Sequence, residues 1–443
     1  MTVSYLTKTE LGGDLTAHGN LDPSVQAALL ASLEGSGVYD PGVEDGKKAW
    51  VEEGSYPGGA IPPVVQVLDV TNSTTVKTDA TLKAIIMDDA GGNQLYVTDD
   101  PNAHNNIFVA MGSGNDSVNL FDSGSDTVYG GAGDDVIGAG AGGGDSIFGG
   151  DGNDSLFGGS GADTLIGGAG NNYIQAGTGA HQLLESGGSG NNTLYDVSSG
   201  TSTLVAGTGN DTLWGYGSDT LIGGSGHDEL HGGANSLVIS GSGSGGWNIL
   251  GSGSTHTGQA NIMQGGAGAD SLYGGGGNDT LYGGSGNNFL DAGTGTHQLL
   301  QAGTGNTYLY DPGSTGAAGT DTLTGGSGND TIVGQQGDYF SDTGAAGSHN
   351  DFWVYGGSGA GSTLQGGAGD DTFHIETKIG NDTIIGGGGT DVAGFKDRAF
   401  SDVHSLTYDA GTSSYTLTFN DGQTISMSGI SDLYFTDQVV KLS

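Results

Sequence analysis

The residues of this chain that could do chemistry are aspartates set among glycines at a fixed spacing. Residues 149–157 and 158–166 read GGDGNDSLF and GGSGADTLI, and both follow the pattern G-G-x-G-x-D-x-U-x, in which U is a large apolar residue. Each aspartate offers a hard carboxylate oxygen of the kind that Ca²⁺ prefers as a ligand. The glycines can take positive φ, so each nonapeptide encodes a turn, a cation ligand and a core residue. We expect the aspartate to point away from the face of the short strand that carries U.

The same pattern recurs along most of the chain. In each case an apolar residue, or Ala393 at the last position, follows the aspartate by two residues. The spacing within glycine-rich turns favours metal binding over solvated surface charge. We therefore predict a series of Ca²⁺ ligands, of which Asp145, Asp219 and Asp382 lie in degenerate turns: Asp116, Asp126, Asp135, Asp145, Asp154, Asp163, Asp211, Asp219, Asp228, Asp270, Asp279, Asp321, Asp330, Asp371, Asp382 and Asp391.

A block of acidic and non-acidic turns is duplicated, because residues 149–195 match residues 265–310. In both copies two acidic turns lead into three turns in which another residue takes the place of aspartate. We expect no Ca²⁺ in these turns, where asparagines could instead hydrogen-bond from coil to coil. The residues assigned to the aspartate position are Asn172, His181 and Asn192 in the first copy, and Asn288, His297 and Thr307 in the second.

The elements that must position these ligands are short strands separated by glycine turns. The fold class is all-β: a parallel β-roll or β-solenoid of glycine-rich nonapeptide repeats, with a small N-terminal cap containing one helix and a C-terminal β cap. Asp22 and Pro23 start the expected helix as N-cap and first residue, and Gly35 ends it. An Asn420-Asp421-Gly422 turn predicts a hairpin in the C-terminal cap.

Three regions follow from these patterns. Residues 1–105 form the N-terminal cap, and residues 106–394 form the roll, with irregular insertions near 232–264 and 335–352. Residues 395–443 form the C-terminal cap.

The composition excludes several classes of protein. The chain has 443 residues with 94 glycines and 7 prolines but no Gly-X-Y period, which excludes collagen. Its formal charge is −41, with 9 Lys+Arg against 50 Asp+Glu, so nucleic acids and anionic membranes would repel it. Each Ca²⁺ adds two positive charges, so ~10 ions would offset about half of this excess. There is no cysteine, no apolar run of membrane-spanning length and no N-terminal pattern of a Sec signal.

The nonapeptides resemble those of the RTX (repeats-in-toxin) family, and they cover roughly residues 110–394. The ending ISDLYFTDQVVKLS at 430–443 is similar to the C-terminal region of RTX proteins that are exported by type I secretion. The resemblance implies Ca²⁺ in the turns between successive repeats, held by repeat aspartates and glycine-loop carbonyls. It also implies a chain that passes unfolded through the type I secretion machinery and folds outside the cell.

Other chemistry is weaker in this sequence. The segment 227–231, HDELH, lacks the order and the helix of a zinc protease motif, and no G-x-S-x-G is present. A carboxylate pair could serve a secreted RTX enzyme acting on polysaccharide, with an aromatic-lined groove near Trp214, Trp247 or Trp353. Threonines in the repeated AGTG tetrapeptides leave open an ice-binding or other ligand-binding solenoid.

The absence of a separate catalytic region favours a non-enzymatic protein. We predict a secreted, calcium-binding structural protein that self-associates as a surface layer, matrix filament or adhesin. Cell-surface polysaccharide is a further candidate partner.

Overall fold

The computed structural model describes most of the chain in two compact units, Met1–Asp219 and Thr220–Ser443. The described residues are 2–18, 21–39, 48–54, 59–60, 65–88, 90–98, 106–241, 249–252, 260–313, 320–344, 347–356, 360–376 and 380–442. Trp247 lies outside them.

The first unit begins with two helices packed on the first strands. The expected helix forms as α2 (Pro23–Gly35), and the carboxylate of Asp22 accepts the backbone N–H of Ser24 at 2.7 Å, as an N-cap should. A second helix, α1 (Lys8–His18), precedes it. The cap thus has two helices rather than one, and both contribute leucines to a buried cluster.

The strands of the first unit are short. They are β1 (Thr2–Thr7), β2 (Lys48–Gly54), β3 (Gly59–Ala60), β4 (Val67–Val70), β5 (Thr74–Lys77), β6 (Ala84–Met87), β7 (Gln94–Thr98), β8 (Phe108–Met111), β9 (Ser117–Phe121), β10 (Thr127–Ala132), β11 (Val136–Gly138), β12 (Ser146–Asp151), β13 (Ser155–Phe157), β14 (Thr164–Ala169), β15 (Tyr173–Gln175), β16 (Leu183–Glu185), β17 (Thr193–Tyr195), β18 (Thr203–Val205) and β19 (Thr212–Trp214).

These strands form the two sheets of a parallel β-roll. From β4 onwards, even-numbered strands pair in parallel with one another in one sheet, and odd-numbered strands do the same in the other. The central residues Ile137, Leu156 and Ile174 are in register and have no solvent exposure. Burying each such side chain contributes ~1.5–3 kcal/mol, so stacking of coils supplies the core. The parallel pairing begins before the first nonapeptide, because β4 to β8 belong to the roll although the segments that connect them contain no nonapeptide.

The second unit repeats this arrangement. Its strands are β20 (Thr220–Ile222), β21 (Glu229–Gly232), β22 (Leu237–Ile239), β23 (Ile249–Ser252), β24 (Ile262–Gln264), β25 (Ser271–Tyr273), β26 (Thr280–Tyr282), β27 (Phe289–Asp291), β28 (Leu299–Gln301), β29 (Tyr308–Tyr310), β30 (Thr322–Thr324), β31 (Thr331–Gln335), β32 (Tyr339–Ser341), β33 (Asp351–Tyr355), β34 (Thr363–Gln365), β35 (Thr372–Glu376), β36 (Asp382–Ile385), β37 (Asp391–Phe395), β38 (Val403–Asp409), β39 (Ser414–Phe419), β40 (Thr424–Ser428), β41 (Ile430–Phe435) and β42 (Val439–Lys441).

The stretches that are irregular in sequence still supply strands to this roll. β22, β23 and β24 lie within residues 232–264, and β32 lies within residues 335–352. Each pairs in parallel with strands of the neighbouring coils.

An antiparallel cap ends the second unit, as the sequence predicts. β38, β39 and β40 form a meander, with the turn at Asn420-Asp421-Gly422 and φ of 94° at Gly422. β40 and β41 then pair in parallel with β36 and β37, the last strands of the roll. Arg398 holds the turn by donating to Asp421 and Gln423, both at 2.6 Å. In the described part of the chain, neither helix has the length and apolarity to cross a bilayer.

Candidate metal centre

The repeat aspartates form internal columns that run from coil to coil. Each lies at the entrance of a strand, and in most of them one carboxylate oxygen accepts the backbone N–H of the column residue one coil earlier. The N–H of Asp116 donates to Oδ1 of Asp135 at 2.7 Å, and that of Asp135 donates to Oδ1 of Asp154 at 2.9 Å. The second unit has the same ladder, in which Asp371 donates to Oδ1 of Asp391 at 2.9 Å.

All the predicted ligands are buried, and the expectation that they point away from the core face is wrong. None of the sixteen side chains is more than 3% exposed. Alternation along a strand places residues i and i+2 on the same side, so the aspartate shares the inner side with the apolar residue that follows it. Ligand and core residue therefore line the same interior.

The second carboxylate oxygen shows why a cation fits these turns. Oδ2 of Asp135, Asp154, Asp371 and Asp391 is buried and accepts no hydrogen bond. A Cβ added at Gly149 would lie under 3.0 Å from both Asp154 Oδ2 and the carbonyl oxygen of Gly167. Acceptors thus converge on the same space without a donor between them. Burying an oxygen that has neither water nor a hydrogen-bond donor costs free energy. Such oxygens are the ligands that Ca²⁺ prefers.

The raised pKa values of the buried aspartates also indicate that these turns need a cation. Burial, opposed by the backbone hydrogen bond, raises the pKa of Asp135 to about 7 and that of Asp154 to about 6. Burial and the neighbouring Asp122 raise the pKa of Asp126 to about 9. No lysine or arginine occurs anywhere between residues 84 and 377. Bound cations would stabilise the ionised carboxylates that protein side chains leave uncompensated.

Some predicted ligands already have a donor on the second oxygen. Oδ2 of Asp163 accepts the N–H of Gly159 at 2.8 Å, and Oδ2 of Asp330 accepts that of Gly326 at 2.7 Å. A carboxylate oxygen has two lone pairs, so these residues keep capacity for a cation.

In the turns of Asn172 and Asn192 an amide occupies the same space. Oδ1 of Asn172 takes the ladder position, accepting the N–H of Asp154 at 2.8 Å. Its Nδ2 donates to the carbonyl of Gly168 at 3.4 Å, and Nδ2 of Asn192 donates to that of Gly190 at 2.8 Å. In these two turns the amide N–H therefore supplies the loop carbonyl with a hydrogen-bond donor.

The assignment of histidines to the aspartate column is wrong by one residue. Gln182 and Gln298 occupy the column, and both are 2% exposed. Leu184 and Leu300 are accordingly the core residues, in register with Leu165 and Leu281. His181 and His297 precede the column with φ of 63° and 61°. Consecutive leucines in both copies made two registers equally compatible with the sequence.

Sequence reasoning also missed acidic residues that the fold buries. Asp338 takes a column position at the entrance of β32, where its Oδ1 accepts the N–H of Asp321 at 3.0 Å. Its turn lacks the nonapeptide glycines, but Phe340 follows by two residues and was the available signal. Asp122 and Asp311 follow strands instead of preceding them, and no repeat pattern marks them.

The residues considered for other chemistry have places in the roll. In the segment 227–231, Leu230 is a fully buried core residue of β21, so the segment is a strand and not the helix of a zinc protease. On the outer side of this strand, Nε2 of His231 lies 2.7 Å from Oε1 of Glu229. Trp214 ends β19 in the first unit. In the second unit, the ring of Trp353 already contacts His374 and Lys396 at centroid distances of 3.8 and 3.7 Å.

A parallel β-roll with carboxylates and loop carbonyls converging in its turns is the architecture of a calcium-binding repeat protein. A family model described as RTX calcium-binding nonapeptide repeat matches the chain at residues 122–144, 140–174, 196–230, 215–236, 257–290, 315–340 and 374–393. These matches, distributed along the roll, support an RTX-family calcium-binding repeat protein. Among curated proteins, none matches it significantly.

Proposed function

We propose that this protein is secreted, folds on Ca²⁺ outside the cell and self-associates as an extracellular surface layer, matrix filament or adhesin. The observation that supports it best is the contrast between the two kinds of turn. The turns of Asn172 and Asn192 close with an internal donor, whereas acidic turns such as those of Asp135 and Asp154 leave buried oxygens that require a cation. Folding that depends on a cation suits a chain that must stay extended during export.

Export by type I secretion is part of this proposal. It is supported by the RTX repeats and by the resemblance of residues 430–443 to the C-terminal region of RTX proteins that are exported by type I secretion. In the fold these residues include β41, which continues the odd-numbered sheet of the second unit. We propose that they act as the export signal while the chain is unfolded and complete the roll afterwards.

Self-association is supported by aromatic residues on the outer face of the second unit. Tyr273, Phe289 and Tyr308 lie on adjacent parallel strands, with ring centroids 5.8 and 5.6 Å apart. Tyr273 and Tyr308 are 41% and 40% exposed. An exposed row of aromatic rings on a rigid sheet is suited to contacts between molecules. We propose that the protein acts through such contacts and is not an enzyme.

Light scattering across a titration of free Ca²⁺ tests this function. We expect an expanded monomer in chelator and large assemblies at millimolar Ca²⁺. Tyr308→Ser should weaken assembly, whereas Tyr408→Ser, at a tyrosine of the C-terminal meander that is 54% exposed, is the control. A compact monomer at all Ca²⁺ concentrations would refute self-association and favour a secreted enzyme or a ligand-binding module.

A further inference from the structure

Three carboxylates meet at one point in the second unit. One oxygen from each of Asp311, Asp321 and Asp338 lies within 4.8 Å of the others, and the side chains are 1%, 2% and 2% exposed. Asp311 follows β29, whereas Asp321 and Asp338 enter β30 and β32, which are paired strands of adjacent coils. The cluster therefore joins the exit of one sheet to the entrances of the other.

Hydrogen bonds fix this cluster but leave one oxygen unused. Asp321 and Asp338 each accept a ladder N–H, and Asp338 also accepts the N–H of Gln335 at 2.8 Å. Oδ1 of Asp311 accepts the N–H of Gly313 at 2.7 Å. Oδ2 of Asp311 is buried and has no hydrogen-bond partner, and one carboxylate oxygen of this residue belongs to the cluster.

The duplicated block supplies an internal comparison. In the first unit the equivalent residues are Asp196, Ser202 and Asp219, and Ser202 donates its N–H to Asp219 as Asp321 does to Asp338. Both oxygens of Asp196 are satisfied by Ser198, through its N–H at 2.7 Å and its hydroxyl at 3.0 Å. The second unit has glycine in place of Ser198 and aspartate in place of Ser202, so it gains a carboxylate and loses the donor.

We propose that Asp311 joins the repeat aspartate Asp321 and the column residue Asp338 in a Ca²⁺ site that the nonapeptide pattern does not describe, and that this site ties the exit of β29 to the entrances of β30 and β32. Oxygens on opposite sides of one Ca²⁺ are ~4.6–5.2 Å apart, so this cluster has the right size. Asp311 is not at a repeat position, so the nonapeptide pattern does not account for it. The site does not depend on export or assembly.

A proton shared between two carboxylates is the competing arrangement. Burial and the facing Asp311 raise the pKa of Asp338 to about 8, and burial raises that of Asp321 to about 6, with a smaller opposing effect from His297. Binding should therefore be measured above the pKa of Asp338, where a cation and not a proton must balance the charges.

The test is the number of Ca²⁺ ions bound per full-length chain, measured by equilibrium dialysis with radioactive Ca²⁺. Asp311→Asn, which keeps the acceptor for Gly313, should bind one ion fewer than the wild type. Asp196→Asn is the matched control and should bind the wild-type number. An unchanged count for Asp311→Asn, or an equal loss in the control, would overturn the site.

A reciprocal variant tests the same chemistry where folding does not rely on the site. Ser198→Gly combined with Ser202→Asp converts the first-unit cluster to the second-unit composition and should add one bound ion. A count equal to that of the wild type would contradict the proposal. A wild-type chain that binds its ions but remains monomeric in light scattering would refute self-association alone.

Discussion

Replacing Asp135 by asparagine should have opposite effects on stability with and without Ca²⁺. Asp135 is 1% exposed, and its Oδ2 has no donor. Asparagine has nearly the same shape and occupies the same column at Asn172, where its Oδ1 accepts the ladder N–H and its Nδ2 meets a loop carbonyl. In chelator, the substitution removes a buried charge and should stabilise the fold. In Ca²⁺, the same substitution removes a metal ligand and should destabilise it.

The magnitude follows from the raised pKa. Burial raises the pKa of Asp135 from 3.8 to about 7 in the folded chain. A group with a raised folded-state pKa stabilises the fold fully below its unfolded pKa, and this contribution is lost as the pH rises through the folded pKa. At ~1.4 kcal/mol per pH unit, the calcium-free fold should lose ~2 kcal/mol by about pH 5 and ~4 kcal/mol above about pH 7. The Asp135→Asn variant has no charge at this position and should not suffer this loss.

Far-ultraviolet circular dichroism in chelator from acid to neutral pH measures the difference, because the β signal should be lost as the pH rises and the variant should keep it to a higher pH than the wild type. We expect Asp135→Asn to be more stable than the wild type in chelator, with an advantage that grows as the pH rises. In Ca²⁺ at ~10,000 times the dissociation constant, the bound ion should stabilise the wild type by ~5.5 kcal/mol, which exceeds the ~4 kcal/mol advantage of the variant in chelator, so the variant should be less stable by ~1 kcal/mol. A variant that is less stable than the wild type in chelator at every pH would refute the reasoning, as would one that is more stable in Ca²⁺.

Three further substitutions test separate parts of the structure. Leu156→Ala removes a fully buried side chain from the core column and should cost ~2–5 kcal/mol of the free energy of unfolding in Ca²⁺; a loss below ~1 kcal/mol would contradict this packing. Gly149→Ala places a methyl group under 3.0 Å from Asp154 Oδ2 and should reduce the number of bound Ca²⁺ ions by one. Gly388→Ala is the control, because its methyl group would have no atom nearer than 3.7 Å and should not change the number. Equal ion counts for the two variants would exclude a Ca²⁺ site at Asp154 and Gly149. Asp22→Ala removes the N-cap of α2 and should cost ~0.5–2 kcal/mol in thermal unfolding, and an unchanged melting curve would argue against the cap.

The repeat architecture could be predicted because each nonapeptide encodes its own turn, strand and core residue. Leu156 and Leu165, for example, lie where the spacing puts them. Helix α1 could not be found this way, since Gly12 and Gly13 interrupt it and its stability comes from tertiary contacts of Leu11 and Leu15.

The register of the non-acidic turns was ambiguous for a different reason. Consecutive leucines offer two core positions, and only stacking on the coil before selects Leu184. The cluster of Asp311, Asp321 and Asp338 was also beyond sequence analysis, because its members come from the exit of one strand and the entrances of two others. Their proximity depends on coil length, which the loops set.

The measurement that tests the central claim most directly is far-ultraviolet circular dichroism of the full-length chain at neutral pH during a Ca²⁺ titration from chelator. Because the acidic turns bury carboxylate oxygens that only a cation can compensate, little β signal is expected in chelator, followed by a cooperative gain as Ca²⁺ is added. Mg²⁺ at the same concentration should not substitute, since it requires smaller octahedral sites. A β-rich spectrum in chelator at neutral pH that Ca²⁺ leaves unchanged would contradict the account.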